Sequence, residues 1–184
     1  MSPRSSFEQA LRVFAGLAAG LFLAGASPSA EARPNSPGSP ESKRIVNADP
    51  EEAAAIERAF HLLSRKPETV AVIDPDGATP EGQKILAGSD AFITQGGRIV
   101  YLNRRSEVLK GARQGASIFD CMLAAIIWHE MAHIDGADEA GAQRKEEGLW
   151  KRLLMDGQVD RVTALRYLKL MNGRHPDVTP ASLK

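Results

Sequence analysis

The chain has 184 residues, which is enough for one domain with a hydrophobic core and too few for two ordinary domains. Its 23 basic and 23 acidic residues balance, so no basic field exists that would attract nucleic acid or an anionic membrane surface. We therefore expect no nucleic acid among its partners.

The N-terminal residues have the order of a secretory signal peptide. Arg4 and Arg12 lie beside an apolar run at residues 13–26, and small residues with an Ala-x-Ala match follow it. The run is shorter than the ~20 residues that a transmembrane helix needs. We predict that residues 1–32 direct export to the periplasm or the exterior, with no stable membrane insertion after cleavage. An uncleaved membrane anchor is the alternative.

Residues 33–44 are rich in proline and serine and predict a flexible spacer, which leaves residues 45–184 as the folded domain. Cys121 is the only cysteine, so no intrachain disulfide can form. We expect Cys121 to be a small buried apolar residue.

The first predicted helix follows Asp49, a suitable N-cap, with Pro50 at its first position and Pro67 as its end. The β-branched, apolar segment at residues 69–74 then predicts a short buried strand. The turn-rich residues 75–90 give no clear assignment.

A hairpin is predicted next, with strands at residues 91–94 and 98–103 around Gln95-Gly96-Gly97. Arg104 and Arg105 follow it, and we expect them in a solvated turn, with contact to substrate termini as the alternative.

Residues 116–135 are apolar on nearly all sides and predict a central, buried helix that Gly136 ends. Asp138 can cap a further helix, and Asp156-Gly157 breaks it before a last helix. The prediction is a small α+β domain. It has a short mixed or antiparallel sheet with a hairpin edge strand, a buried helix packed on that sheet, and two C-terminal helices among three or four in all.

His129, Glu130 and His133 form an H-E-x-x-H motif near the end of the apolar helix. The two histidines stack on one helix face and can bind one metal ion, while Glu130 lies beside that face as a general base. The alternative is a chance motif without a metal. Against it, a carboxylate and two imidazoles are costly to bury without a compensating partner.

The motif on a buried helix, after a strand such as residues 98–103, resembles the zincin superfamily of zinc metallopeptidases. The resemblance covers roughly residues 98–154 and implies Zn²⁺ as cofactor and a peptide or protein as substrate. In that superfamily the edge strand before the active-site helix commonly pairs with an extended substrate.

The third ligand separates the subgroups of that superfamily. In one, a glycine and then a histidine follow the motif; here Gly136 matches, and Glu139 stands where the histidine would be. In the other, a glutamate comes from the next helix. Both routes lead to Glu139, which we predict as the third ligand beside His129 and His133.

Glu146 is the alternative ligand, because it shares an otherwise apolar stripe of the predicted helix with Glu139. The glutamate that does not bind the metal would orient a ligand histidine. A third possibility is an ordinary charged face that includes Glu147, which we expect to be solvated.

The first subgroup also has a methionine turn beneath the metal, for which Met155 is the candidate. A core methionine is the better interpretation of Met155. Tyr167 or His175 is a candidate for stabilising the oxyanion of a tetrahedral intermediate. We expect His61 to be a core or surface histidine rather than a ligand.

The predicted function is therefore an exported zinc metallopeptidase, in which Glu130 removes a proton from the attacking water and delivers it to the leaving amine. One alternative is an exported domain that binds zinc without catalysis and acts through interactions. Another is a metal-free helical interaction domain.

Overall fold

The computed structural model describes the backbone of residues 44–174. The predicted signal peptide, most of the predicted spacer and His175 lie outside these residues. The α-helices of the described residues are α1 (Pro50–His61), α2 (Pro80–Gly88), α3 (Glu107–Arg113), α4 (Ser117–Ile134), α5 (Glu139–Met155) and α6 (Arg161–Arg174). A short 3₁₀ turn spans Pro75–Gly77.

The described strands are β1 (Ile45–Val46), β2 (Thr69–Ile73), β3 (Ala91–Phe92) and β4 (Ile99–Asn103). They form one mixed sheet in the order β1-β2-β4-β3. β2 pairs in parallel with both β1 and β4, whereas β3 pairs antiparallel to β4. The predicted α+β class with a short mixed sheet is confirmed.

The predicted hairpin is confirmed, but its edge is not where we expected it. β4, the strand before the buried helix, pairs with β2 along its whole length and with β3 on its other side. It is therefore internal, and the two-residue strand β3 takes the edge. Parallel pairing between strands distant in the chain decides this order, and local sequence carries no signal for it.

α1 begins as predicted and ends earlier than predicted. The Asp49 side chain accepts from the backbone of Glu52 while the Glu52 carboxylate accepts from the backbone of Asp49, which is a capping box. The helix ends at His61 rather than near Pro67, and the Leu62 carbonyl accepts from the Arg152 side chain. His61 is exposed.

Two helices were missing from the prediction, so the described chain has six rather than three or four. α2 has Thr79 as N-cap and Pro80 at its start, and α3 has the Ser106 hydroxyl as N-cap acceptor. Both N-cap signals are visible in the sequence, but the helices have only 9 and 7 residues, which is too short for a repeating apolar pattern to identify them.

α4 is the centre of the core, as its composition predicts. Its residues from Phe119 to Ile127 are all buried, and it packs against α1, α3 and α5 and against the hairpin strands. Cys121 is among the buried residues, as predicted, and burial raises the pKa of its thiol to about 11. None of the helices that the structure describes is long and apolar enough to cross a membrane.

A buried carboxylate ties α1 to the end of β4. Glu52 is fully buried, and the Arg104 guanidinium donates to both of its oxygens, over 2.9 and 3.1 Å. Arg104 lies in a turn and is partly exposed, as expected, but its guanidinium is bound to Glu52 rather than free in solvent, because a buried charge needs this partner. Arg105 does lie exposed and pairs with Asp76.

We predict that Arg104→Met lowers the free energy of unfolding by about 3 kcal/mol, because it leaves the Glu52 charge buried without its main partner. Urea unfolding measures the change. Arg98→Met is the matched control, since the Arg98–Glu68 pair is exposed on both sides, and it should change stability little. Equal effects of the two substitutions would contradict the prediction.

Candidate metal centre

His129 and His133 lie on the last turns of α4, where the helix leaves the core. They are partly buried, and their Nε2 atoms lie 3.1 Å apart. The rings meet at 70° with centroids 4.9 Å apart. The spacing of four residues therefore brings both imidazoles to one point on the helix face, as predicted.

The turn after α4 is a Schellman motif, which returns the chain towards the histidines. The Gly136 N–H donates to the His133 carbonyl, and the Ala137 N–H donates to the Ala132 carbonyl. Gly136 has φ +87°, a conformation that favours glycine. The Ala137 carbonyl then accepts from His133 Nδ1 over 2.9 Å, so the turn also fixes that ring.

Glu139 is the first residue of α5, directly after the Asp138 N-cap. One of its oxygens, Oε2, lies 3.3 Å from His133 Nε2 and 3.6 Å from His129 Nε2. The positive end of a helix favours a carboxylate at this position. His129, His133 and Glu139 thus offer three ligand atoms that face one another.

His129, His133 and Glu139 each have a separate hydrogen-bond partner on the side that faces away from the three ligand atoms. Glu146 Oε2 lies 2.9 Å from His129 Nδ1, and the Gln143 amide donates to Glu139 Oε1 over 3.0 Å. His133 Nδ1 has the Ala137 carbonyl. Because a carbonyl and a carboxylate only accept, both Nδ1 atoms donate, and neutral rings then present unprotonated Nε2 atoms to each other.

The triangle of ligand atoms has the size that a tetrahedral metal ion requires. Metal–ligand bonds of about 2.0–2.1 Å give tetrahedron edges of about 3.3–3.4 Å. The observed separations of Nε2, Nε2 and Oε2 are 3.1, 3.3 and 3.6 Å. Lone pairs at such distances repel unless a cation lies between them, and either a metal ion or an extra proton meets that need.

The electrostatics of the metal-free protein favour the extra proton. Burial alone lowers the pKa of His129, but the Glu139 and Glu146 carboxylates outweigh it and raise that pKa to about 10. Glu139 likewise raises the pKa of His133, and the two histidines hold the pKa of Glu139 far below its usual range. The cluster therefore attracts positive charge.

Glu130 lies between the two histidines in sequence and is partly buried. Burial raises its pKa, and the charges of His129 and His133 oppose that rise. A carboxylate of raised pKa that stands between two candidate ligands in the sequence has the chemistry of a general base.

Glu146 is buried on the other side of His129, where it contacts Nδ1 rather than Nε2. Its second oxygen accepts a hydrogen bond from the Tyr167 hydroxyl. Tyr167 is 2% exposed, and its ring stacks on Trp150. The expectation that Tyr167 stabilises an oxyanion is therefore wrong, because its hydroxyl lies behind His129 and binds Glu146.

The remaining expectations have mixed outcomes. Met155 is 80% exposed at the end of α5, so its interpretation as a core methionine is wrong, since the helix stripe turns to solvent there. Met155 is also too exposed to be the methionine of a turn beneath the metal. Glu147 is only partly exposed and pairs with Lys151.

Two contributors were missed from the sequence. Gln143 stands four residues after Glu139, a spacing at which helical side chains meet, so that signal was available. The Ala137 carbonyl has no side-chain signal, and the turn geometry alone reveals it.

Comparisons with known proteins do not place the chain in a family: no family, no curated protein and no solved structure matches it. The site therefore rests on its own geometry.

We predict that the metal-free protein loses stability between pH 6.5 and 10 because of His129. The folded-state pKa of His129, about 10, lies above its ordinary value of 6.5. Its contribution to stability is therefore complete below pH 6.5 and is lost as the pH rises through about 10. Urea unfolding of chelator-treated protein at both ends of this range measures the loss. His129→Gln is the control and should show a smaller fall, whereas parallel pH profiles would contradict the prediction.

Proposed function

We propose that this chain is a zinc-dependent peptidase of the zincin kind. His129, His133 and Glu139 would hold Zn²⁺, with Glu130 as general base. The observation that carries the proposal is the meeting of three ligand atoms at tetrahedral separations, each side chain held from behind by a separate partner.

The donor set fits zinc. Two imidazole nitrogens and one carboxylate oxygen are common zinc ligands, and they leave a fourth position open. The same set also suits iron(II), so metal analysis has to identify the ion. Bound there, Zn²⁺ would supply a Lewis acid that polarises a peptide carbonyl and acidifies water.

The hydrogen-bond partners of Glu139 and Glu146 support an open fourth coordination position on the metal. Gln143 holds Glu139 Oε1, so that only Oε2 faces the histidines. Glu146 is engaged with Nδ1 of His129 and with Tyr167 rather than with the Nε2 atoms. Of the two glutamates, this arrangement favours Glu139 as ligand and Glu146 as the residue that orients His129.

Glu130 supplies the proton transfers. Water attacks the carbonyl carbon of the scissile bond, and its proton passes to the Glu130 carboxylate. Glu130 then gives that proton to the amide nitrogen as the carbon–nitrogen bond breaks, and the carboxylate is restored. Partial burial makes Glu130 more basic, and this favours the first transfer.

The proposed substrate is a peptide or protein. This choice rests on the resemblance of the motif to zincins and not on the described geometry. Export by residues 1–32 is a further part of the proposal and rests on their order of charged, apolar and small residues.

We predict about one zinc ion per chain by elemental analysis of the purified protein. Glu139→Ala should lose most of it, because one of three ligands is gone. Glu146→Ala should retain zinc with an affinity about 10–100-fold lower, as expected for a residue behind a ligand. Glu147→Ala, beside Glu146 on α5, is the control and should behave as the wild type. A wild type that takes up no zinc when it is offered would refute the proposal.

We predict that Glu130→Gln lowers peptidase kcat/KM by about 10²–10⁴-fold without changing zinc content, because the amide cannot accept the proton. A library of quenched fluorescent peptides provides the assay. Retained activity in the variant would exclude Glu130 as the base. Zinc binding by a wild type that cleaves no peptide would instead favour the non-catalytic interaction domain.

A further inference from the structure

We propose that Tyr167 is a positioning residue of the metal centre, which acts on His129 through the Glu146 carboxylate. The inference rests on the proposed function, because it assigns a role in metal binding to a residue of the last helix. It concerns only the Nδ1 side of His129, which faces away from the position where the metal would bind.

The contacts form a line across three helices. The Tyr167 hydroxyl on α6 donates to Glu146 Oε1 on α5. The other oxygen of the same carboxylate, Oε2, lies 2.9 Å from His129 Nδ1 on α4. One carboxylate therefore joins the tyrosine to the ring whose opposite nitrogen faces His133 and Glu139.

Because the contact is buried, water cannot easily replace the Tyr167 hydroxyl as the donor to Glu146. Glu146 is 3% exposed and Tyr167 2%, so bulk solvent has little access to the carboxylate oxygen. A carboxylate held by His129 alone can rotate about its own axis, whereas a second hydrogen bond fixes its plane. The plane of the carboxylate in turn sets the direction of the hydrogen bond that His129 Nδ1 donates.

The position of the hydroxyl is itself determined by packing. The Tyr167 ring stacks on Trp150, with centroids 3.9 Å apart, and Trp150 is fully buried. The Trp150 N–H has no hydrogen-bond partner within the described part of the chain, so packing is the contribution of that residue. The stack holds the tyrosine ring in place, and the ring directs its hydroxyl at Glu146.

Tyr167→Phe is the first test, because it removes the hydroxyl and keeps the ring. We expect zinc affinity, measured by competition with a chromophoric chelator on the full purified chain, to fall about 10-fold. We also expect the visible absorption bands of the Co²⁺-substituted protein to shift, since they report ligand geometry. Unchanged affinity and unchanged bands would overturn the inference.

Leu168→Ala is the matched control for simple destabilisation of α6. Leu168 is 5% exposed and adjacent to Tyr167, but it has no hydrogen bond to Glu146. It should lower the midpoint of urea unfolding while zinc affinity and the Co²⁺ spectrum stay as in the wild type. If it weakens zinc binding as much as Tyr167→Phe does, the role of Tyr167 is only structural and the inference is overturned.

A double-mutant cycle tests whether Tyr167 acts through Glu146. In the Glu146→Ala background, Tyr167→Phe should change zinc affinity by less than about 2-fold, because the side chain that transmits the effect is absent. Losses that multiply independently would show that Tyr167 acts by another route and would overturn the proposal.

A second probe remains if Tyr167→Phe does not fold. The chain has two tyrosines, so in Tyr101→Phe a fluorotyrosine is incorporated only at Tyr167. Fluorination makes the phenol a stronger donor without removing it, and it should shift zinc affinity and the Co²⁺ bands. No shift in either would overturn the inference. Failure of the wild type to bind zinc is a different result, because it refutes the proposed function as well.

Discussion

The site depends on the burial of charge at the end of an apolar helix. Two imidazoles and the carboxylates of Glu139 and Glu146 meet where α4 leaves the core, and Glu146 is almost completely enclosed. Removing such groups from water is costly unless each one is paired. Outward partners satisfy both Nδ1 atoms and Glu139 Oε1, which leaves the Nε2 atoms and Glu139 Oε2 facing inward. A proton or a metal ion can satisfy these remaining acceptor atoms.

The fold supplies these partners through the junction of α4 and α5. Gly136 reverses the chain within a Schellman motif, and the same turn presents the Ala137 carbonyl to one histidine. α5 begins immediately afterwards, so Glu139 arrives at a helix N-terminus, where a negative charge is favoured. One local structure thus ends a helix, orients a ring and places a carboxylate.

Local sequence signals predicted those features of the structure that local interactions determine. The N-cap of α1, the apolar length of α4 and the glycine after it are visible as patterns, and the spacing of the motif brings His129 and His133 together. The internal position of β4 was not predictable, since pairing with β2 joins residues far apart in the chain. The contact of Tyr167 with Glu146 belongs to the same class: sequence could suggest a tyrosine near the site but not the side of His129 on which it lies.

The distinction between Glu139 and Glu146 follows from helix geometry. The two residues are two turns apart on one face of α5, about 10 Å along the axis at 1.5 Å per residue, so their carboxylates do not converge on one ion. α5 runs back along α4 after the tight turn, so its first turn lies beside His133 and its later turns lie beside residues earlier in α4. His129, one turn before His133, therefore lies between the glutamates, with Nε2 towards Glu139 and Nδ1 towards Glu146. The same antiparallel helix pair that buries the apolar stripe of α5 thus places Glu139 beside the Nε2 atoms of both histidines and Glu146 behind His129, at its Nδ1 atom.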